Sequence, residues 1–395
     1  MADRRRVMVT GAAVLAGGVD DLSGFDAMLR ASRPRMEAPT WDWDGWLGGV
    51  EPSVAARARR VARTASPALR SSIRVSVDAV GSAALPDLGV VVAGSNLALG
   101  RGYQAFEKFK AEPAFLSPRH GYEFYDTHVM ASIAEILGAR GPGMTVGGAS
   151  GSGNVAIGVA LDLVRHGRTD ACLVVGPMPD LSPVERHALR TMGALAELHS
   201  PCRPFDHAAH GFVPGDACAA VLLETDASAR QRGAPVMAEI AGACWVQGAN
   251  HLPSPDLDSE IRAMTGALTD AGMSVDSLDL ISAHATGTPA GDAVECEALR
   301  AVLGHRAAQV PVNAPKSLFG HALHAAGVVE LVAAIRQIQG GFVHGTAGLT
   351  DPIAVDLRLV GPAAIDRPVR VVLSNSFGFG SIAASILVRD PEWVQ

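Results

Sequence analysis

The chain has 395 residues, a formal charge of −7 and 48% hydrophobic residues, enough to bury a large core in two domains or one duplicated one. That charge excludes a general nucleic-acid footprint, and no run of about eighteen apolar residues is present to span a membrane. The five cysteines, Cys172, Cys202, Cys218, Cys244 and Cys296, are odd in number and lack CxxC spacing. That pattern argues against a disulfide framework or zinc knuckle and for reduced thiols in the cytoplasm.

In chain order, Arg4, Arg5 and Arg6 before "VMVTGAAVLAGGV" imitate a signal peptide, but the segment reads as a first strand, "RVMVTG". Asp20 and Asp21 open a helix, "DLSGFDAMLRA". Residues 38–53, with Trp41, Trp43 and Trp46, read as a loop or interface segment, and so does "FKAEPAFLSPRHGYEFYD" at 109–126. Between them "ARARRVAR" supplies Arg57, Arg59, Arg60 and Arg63. These form either a solvated helix face or a docking patch for an acidic partner.

The short apolar runs "GVVVAG", "ACLVVG", "CAAVLLE", "DLISAHA", "VPVNA", "RVVLSNS" and "AASILV" read as strands covered on both faces. They alternate with the helical stretches "VAIGVALDLVRHG", "IRAMTGALTDAG", "AVECEALRAVLG" and "VVELVAAIRQIQ", an α/β architecture. The pattern occurs twice. The boundary falls near Gln231–Val236, dividing 1–236 from 237–395.

Four motifs carry chemistry. "TVGGASGSGNVAIG" places Ser150 at a turn into a helix, where a serine serves as N-cap or as nucleophile. The G-x-S-x-G elbow fails there, because Ser150 lacks the second glycine and Ser152 the first. Gly151, Gly153 and Ala156 fit the dinucleotide pattern G-x-G-x-x-A, a weak match after so short a strand. "AHATGTPAGD" holds His284, Thr286, Thr288 and Asp292 at a strand end that can face a cleft. "KSLFGHALHAAGVVE" holds Lys316, His321, His324 and Glu330. His321 and His324 lack a third ligand at metal spacing, and Lys316 with Glu330 suits a buried ion pair. "SNSFGFG" (374–380) offers glycines for close backbone approach to a ligand, with Phe377 and Phe379.

Taken in order with "CRPFDHAAHGF" (202–212), these motifs resemble the β-ketoacyl-ACP synthase family over nearly the whole chain. The resemblance implies a thiolase-like fold of two duplicated halves in five αβαβα layers, and a homodimer. It implies that Ser150 occupies the position of the acyl-accepting cysteine. His284 and His321 then hold the malonyl thioester carbonyl and the enolate formed as CO2 leaves. Lys316 and Glu330 match a supporting polar pair, with Asp292 behind the site. Thr286 and Thr288 match residues that hold the phosphopantetheine arm. Phe379 matches a gate whose backbone N–H completes an oxyanion hole. The chain departs from the family at Ser150, at Ala285 and Gly287, at His210, and at Ser381–Ile382.

A serine acylates poorly without a positioned base, whereas the two histidines of the decarboxylation apparatus are retained. The expected activity is therefore conversion of malonyl-ACP to acetyl-ACP. The Cys-to-Ser change resembles the synthase homologues of polyketide β-branching cassettes. That resemblance implies a discrete acyl carrier protein and partners similar to HMG-CoA synthase and enoyl-CoA hydratase, with no bound cofactor, metal, nucleic acid or membrane. Two alternatives stay open. One is an acyltransferase with Ser150 as nucleophile. The other is a non-catalytic partner subunit resembling a chain-length factor. Arg59, Arg60 and Arg63 are the expected docking residues for the carrier protein.

Overall fold

Strands such as Ala171–Gly176 are buried at every position, so helices must cover both faces of the sheet they form. The computed structural model describes residues 5–85, 87–197 and 200–394; Arg4 of the basic N-terminal run lies outside the described residues. The first half contributes β1 (Val7–Leu15), β2 (Gly89–Ala93), β3 (Gly143–Val146), β4 (Ala171–Gly176) and β5 (Cys218–Thr225). The second contributes β6 (Ala238–Gln247), β7 (Leu280–Ser282), β8 (Val312–Asn313), a small hairpin of β9 (Phe342–Val343) and β10 (Ile365–Asp366), then β11 (Val371–Gly378) and β12 (Ile382–Arg389).

The sheet order is β3-β2-β4-β5-β1-β6-β12-β11-β7-β8. Read outward from β1 and from β6, the two halves have the same order. Each has three parallel strands at its edge and antiparallel strands toward the middle. The duplication is thus written in the topology. One antiparallel contact, Met8 with Glu239 and Val9 with Ala238, joins the halves into one ten-stranded sheet. Strand β6, which supplies that contact, breaks its apolar residues with Glu239 and Gly242, and so it is absent from the sequence reading.

Alternate residues of each strand face two different cores. In β4, Cys172 and Val174 face the central core while Leu173 and Val175 face an outer one. The central core encloses two helices, Ser152–Arg165 and Ala326–Gly340. Outer helices Pro52–Val61, Pro67–Val80 and Thr127–Leu137 cover the first half, and Leu257–Ala271 and Pro289–Leu303 cover the second. These are the five layers of the thiolase-like fold.

The N-terminal segment is the buried strand β1, paired with β5, and Asp21 caps the helix Leu22–Ala31 by accepting from Gly24 N–H at 2.6 Å. The Trp-rich stretch forms a three-ring cluster with centroids 5.3–5.8 Å apart. Trp46 Nε1 donates to Asp78 (2.9 Å), and Arg70 and Arg74 stack on Trp43 and Trp41. The cluster pins residues 41–46 to the helix Pro67–Val80.

The two central helices meet backbone to backbone. A Cβ on Gly153 would lie 2.8 Å from Gly327 Cα and N. Gly153 therefore serves a helix crossing, not the pyrophosphate cradle of the dinucleotide pattern. Gly153→Ala is expected to lower unfolding free energy by about 1–3 kcal/mol in chemical denaturation, because backbone must move to admit the methyl. Gly102→Ala, in the helix Leu99–Ala111 with open space around it, is expected to stabilise by about 0.4–1 kcal/mol.

Candidate active site

The helix crossing brings two N-terminal turns side by side. Ala149–Gly151 precedes the first central helix and Leu323–Ala325 the second, and both open on a non-glycine residue at φ +48°. Left-handed backbone at Ala and Leu is costly and persists only where surroundings impose it. Close packing does so at Ala149: a Cβ on Gly378 would lie 3.1 Å from the Ala149 Cβ and 2.5 Å from Gly148 O. Ser150 is presented from this turn.

Ser150 Oγ lies 2.9 Å from His321 Nε2. The N-cap expectation for Ser150 is corrected here. The helix begins at Ser152 without a side-chain cap, and it is Ser152 Oγ that bonds Gly148 N–H (2.8 Å) and Ala149 O (2.6 Å). The His321 tautomer follows from its other nitrogen. Leu323 N–H donates to His321 Nδ1 (3.2 Å), so the ring proton sits on Nε2 and Ser150 Oγ is the acceptor.

His284 closes the site from the loop after β7. Its ring centroid is 5.6 Å from that of His321, edge to face, and 5.6 Å from Phe377. Phe212 packs edge-on against His321 at 5.0 Å. Burial first, and then the Lys316 charge, hold both imidazoles well below their usual pKa. Both rings are therefore neutral N–H donors at pH 7. Lys316 is fully buried, with Nζ 2.5 Å from Glu330 Oε1, which is the ion pair expected from sequence.

Two buried carboxyls shape the loop. Asp292 accepts from Thr286 N–H (3.0 Å), Gly287 N–H (3.1 Å) and Phe205 N–H (2.7 Å). Glu295 accepts from His284 N–H (2.9 Å) and Ala285 N–H (2.7 Å). Burial, chiefly, pushes the Asp292 carboxyl up to about 7. Gly287 sits at φ +81°, which a side chain rarely adopts. Thr286 and Thr288 share a hydroxyl contact of 2.9 Å. Glu295 is missing from the sequence reading; its signal is the i, i+3 spacing with Asp292 on one helix face.

A cavity of about 640 Å³ opens onto these groups. Ser150, His284, His321, Thr286, Thr288, Asp292 and Phe379 all line it, together with Ile382. Phe379 is 44% exposed at its wall, and Ile382 packs on the Ser150 turn. Lys316 and Glu330 are buried and do not line it. Arg59, Arg60 and Arg63 are exposed and outside the cavity lining, with Arg60 paired to Glu135 at 2.7 Å. The structure does not bring them to this site. His324, at the place in its turn that Ser150 holds in the other, also lines the cavity but donates Nε2–H to Pro177 O (3.1 Å).

Family models for the β-ketoacyl synthase N-terminal and C-terminal domains match residues 4–229 and 237–350. The chain belongs to the β-ketoacyl synthase family. It is 32% identical to the polyketide biosynthesis malonyl-ACP decarboxylase PksF of Bacillus subtilis (strain 168), over 98% of this chain and 97% of that protein. The ishigamide ketosynthase/chain length factor structure superposes with TM-score 0.85 at 26% identity, covering 98% and 99% of the two chains. The AntDE:AntF structure, a type II polyketide synthase acyl carrier protein in complex with its ketosynthase, gives TM-score 0.83 at 26% identity, covering 98% and 100%. Among the described residues, no helix is long and apolar enough to cross a membrane.

Nitrogen-15 NMR of labelled histidines is expected to show His321 as the neutral Nε2–H tautomer from pH 8 down past about 6.5, its ordinary pKa; an Nδ1–H signal would contradict the site geometry. For the ion pair, Lys316→Met is expected to cost about 3–5 kcal/mol in denaturant unfolding by stranding Glu330, while Lys316→Met with Glu330→Leu costs far less.

Proposed function

We propose that this chain decarboxylates a malonyl thioester carried on the phosphopantetheine of an acyl carrier protein, giving acetyl-ACP without condensation. The observation that carries the reading is the His321 tautomer. With Nδ1 occupied by Leu323 N–H, Nε2 is a donor toward Ser150 and not a base. Ser150 keeps its proton and is a weak nucleophile. An acyltransferase would need the opposite arrangement, with an imidazole nitrogen accepting the serine proton.

The thioester carbonyl is placed between His284 and His321, and Thr286 and Thr288 hold the arm. The C–C bond to the carboxylate breaks, CO2 leaves, and the electron pair moves onto the carbonyl oxygen as an enolate. Two neutral N–H donors, that of His284 and the His321 Nε2–H redirected from Ser150 Oγ to the carbonyl oxygen, meet charge that develops only in the transition state, and each such donor is worth roughly 3–4 kcal/mol. The N-termini of the two central helices add positive potential at the same place. Burial, and then Lys316, disfavour a protonated imidazole, so the donors stay neutral throughout. Protonation of the enolate carbon completes acetyl-ACP. A non-catalytic partner subunit has no need of this set of donors, and the likeness to PksF supports the same conclusion.

In this reading the chain serves polyketide β-branching in the cytoplasm, with HMG-synthase-like and enoyl-CoA-hydratase-like enzymes consuming its product. A homodimer is supported by the unpaired edge of β3 and by the exposed rings of Phe106, Phe109, Phe115, Tyr122, Phe124 and Tyr125. The carrier protein meets the cavity mouth at the helix Pro183–Thr191. Leu189 lines the cavity from that helix, and Arg186 and Arg190 are exposed on it.

His284→Ala and His321→Ala are each expected to lower kcat for acetyl-ACP formation by about 10²–10³. Ser150→Ala removes one neutral hydrogen-bond partner and is expected to cost less than about tenfold. Equal losses in all three would return Ser150 to a covalent role. Reversing Arg186 and Arg190 to Glu is expected to raise KM for malonyl-ACP while sparing a small malonyl thioester, and Arg60→Glu with Arg63→Glu to change neither.

A further inference from the structure

Glu260 plays no part in the site described so far. It lies in the helix Leu257–Ala271, is 3% exposed, and lines the cavity together with His284. One turn further along that helix, Met264 Sδ accepts from Asn375 Nδ2 (3.3 Å). The same Nδ2 donates to Glu295 Oε1 (3.2 Å), the oxygen that holds His284 N–H. Phe377, which touches the His284 ring, packs with Ala263 of the same helix. Glu260 thus borders the wall on which His284 is mounted.

Three carboxyls are buried along this wall, and two are committed. Both oxygens of Asp292 and both of Glu295 accept backbone N–H groups. Glu260 Oε2 is buried with no hydrogen-bond partner among the described residues. Asp256 accepts instead from Ser259 N–H (2.8 Å) and Ser259 Oγ, and Lys316 is held by Glu330. Among the described residues, no cation faces Glu260 to support an ionised form. Burial, then the neighbouring Glu295, Asp256 and Asp292, push its carboxyl up to about 10. A neutral carboxylic acid beside a reaction cavity is a proton donor.

The decarboxylation needs one. An enolate left by CO2 must gain a proton at carbon before it recaptures CO2. Neutral His284 and His321 are engaged at the enolate oxygen, and giving up a ring proton would leave an imidazolate. Ser150 is a much weaker acid than a carboxyl.

We propose that Glu260 is the acid that protonates the enolate carbon. This rests on the decarboxylase reading above. The enolate C=C pair takes the Glu260 O–H proton, the C–O⁻ pair reforms the thioester carbonyl, and Glu260 is left as carboxylate. Water entering the cavity reprotonates it. The sum is malonyl thioester plus one proton giving acetyl thioester plus CO2.

The test is a partition measurement. Malonyl-ACP is incubated with enzyme, carbonic anhydrase and carbon-13 bicarbonate, and the carrier masses report label exchanged into malonyl-ACP against acetyl-ACP formed. Glu260→Gln, nearly isosteric, and Glu260→Leu, which carries no ionisable proton, are each expected to raise the exchange-to-product ratio by about tenfold or more. Glu260→Asp is expected to bring the ratio back toward wild type. His284→Ala lowers exchange and product together, which is what a general loss of catalysis does. An unchanged ratio in both variants, with wild type active, overturns the role of Glu260 alone. Wild-type protein that releases no CO2 overturns the decarboxylase reading, and this proposal with it.

Discussion

The site depends on the close crossing of the two central helices at Gly153 and Gly327. With no side chain at either position, the backbones approach until the helix N-termini lie side by side. That approach sets Ser150 on one turn against His321, just before the other. It also explains the paired left-handed residues, Ala149 and Leu323, which occupy equivalent places in the two halves. The duplicated topology supplies two copies of one device. The chain uses them unequally, with Ser150 turned inward and His324 turned to Pro177 O.

A second constraint is electrostatic. Burial, and then one buried cation, Lys316, keep the two imidazoles neutral, while Glu330 pairs with the cation. Neutral donors suit an enolate whose charge appears and disappears within one turnover. In a condensing enzyme that enolate attacks an acyl group on a nucleophile. Here the residue at the nucleophile turn accepts a hydrogen bond from His321 and carries no base to activate it, so the enolate has a proton as its partner. On the proposed reading, the loss of condensation follows from that one side chain, and the retention of decarboxylation from the two histidines.

Much of this was legible in the sequence. Apolar runs marked β2, β4 and β5, and the helix 326–340 announced itself by an apolar-rich stretch. Ordered motifs brought Ser150, His284, His321 and Lys316 to one place because each sits at a strand end or helix start that the fold turns inward. What was not legible required three dimensions. Glu260 and Glu295 are ordinary helix acids until a cavity and an apolar wall are placed beside them. The His321 tautomer is set by a backbone N–H two residues on, which depends on the φ of Leu323. The basic run 57–63 lies outside the cavity lining, and charge along one helix does not say which face of the molecule a carrier protein meets.

The most direct measurement is intact mass of both proteins after malonyl-ACP is mixed with the enzyme. The account predicts conversion of the carrier from its malonyl to its acetyl form, with the enzyme mass unchanged throughout. A stable acyl adduct on Ser150 would contradict it, because the serine would then be a nucleophile after all.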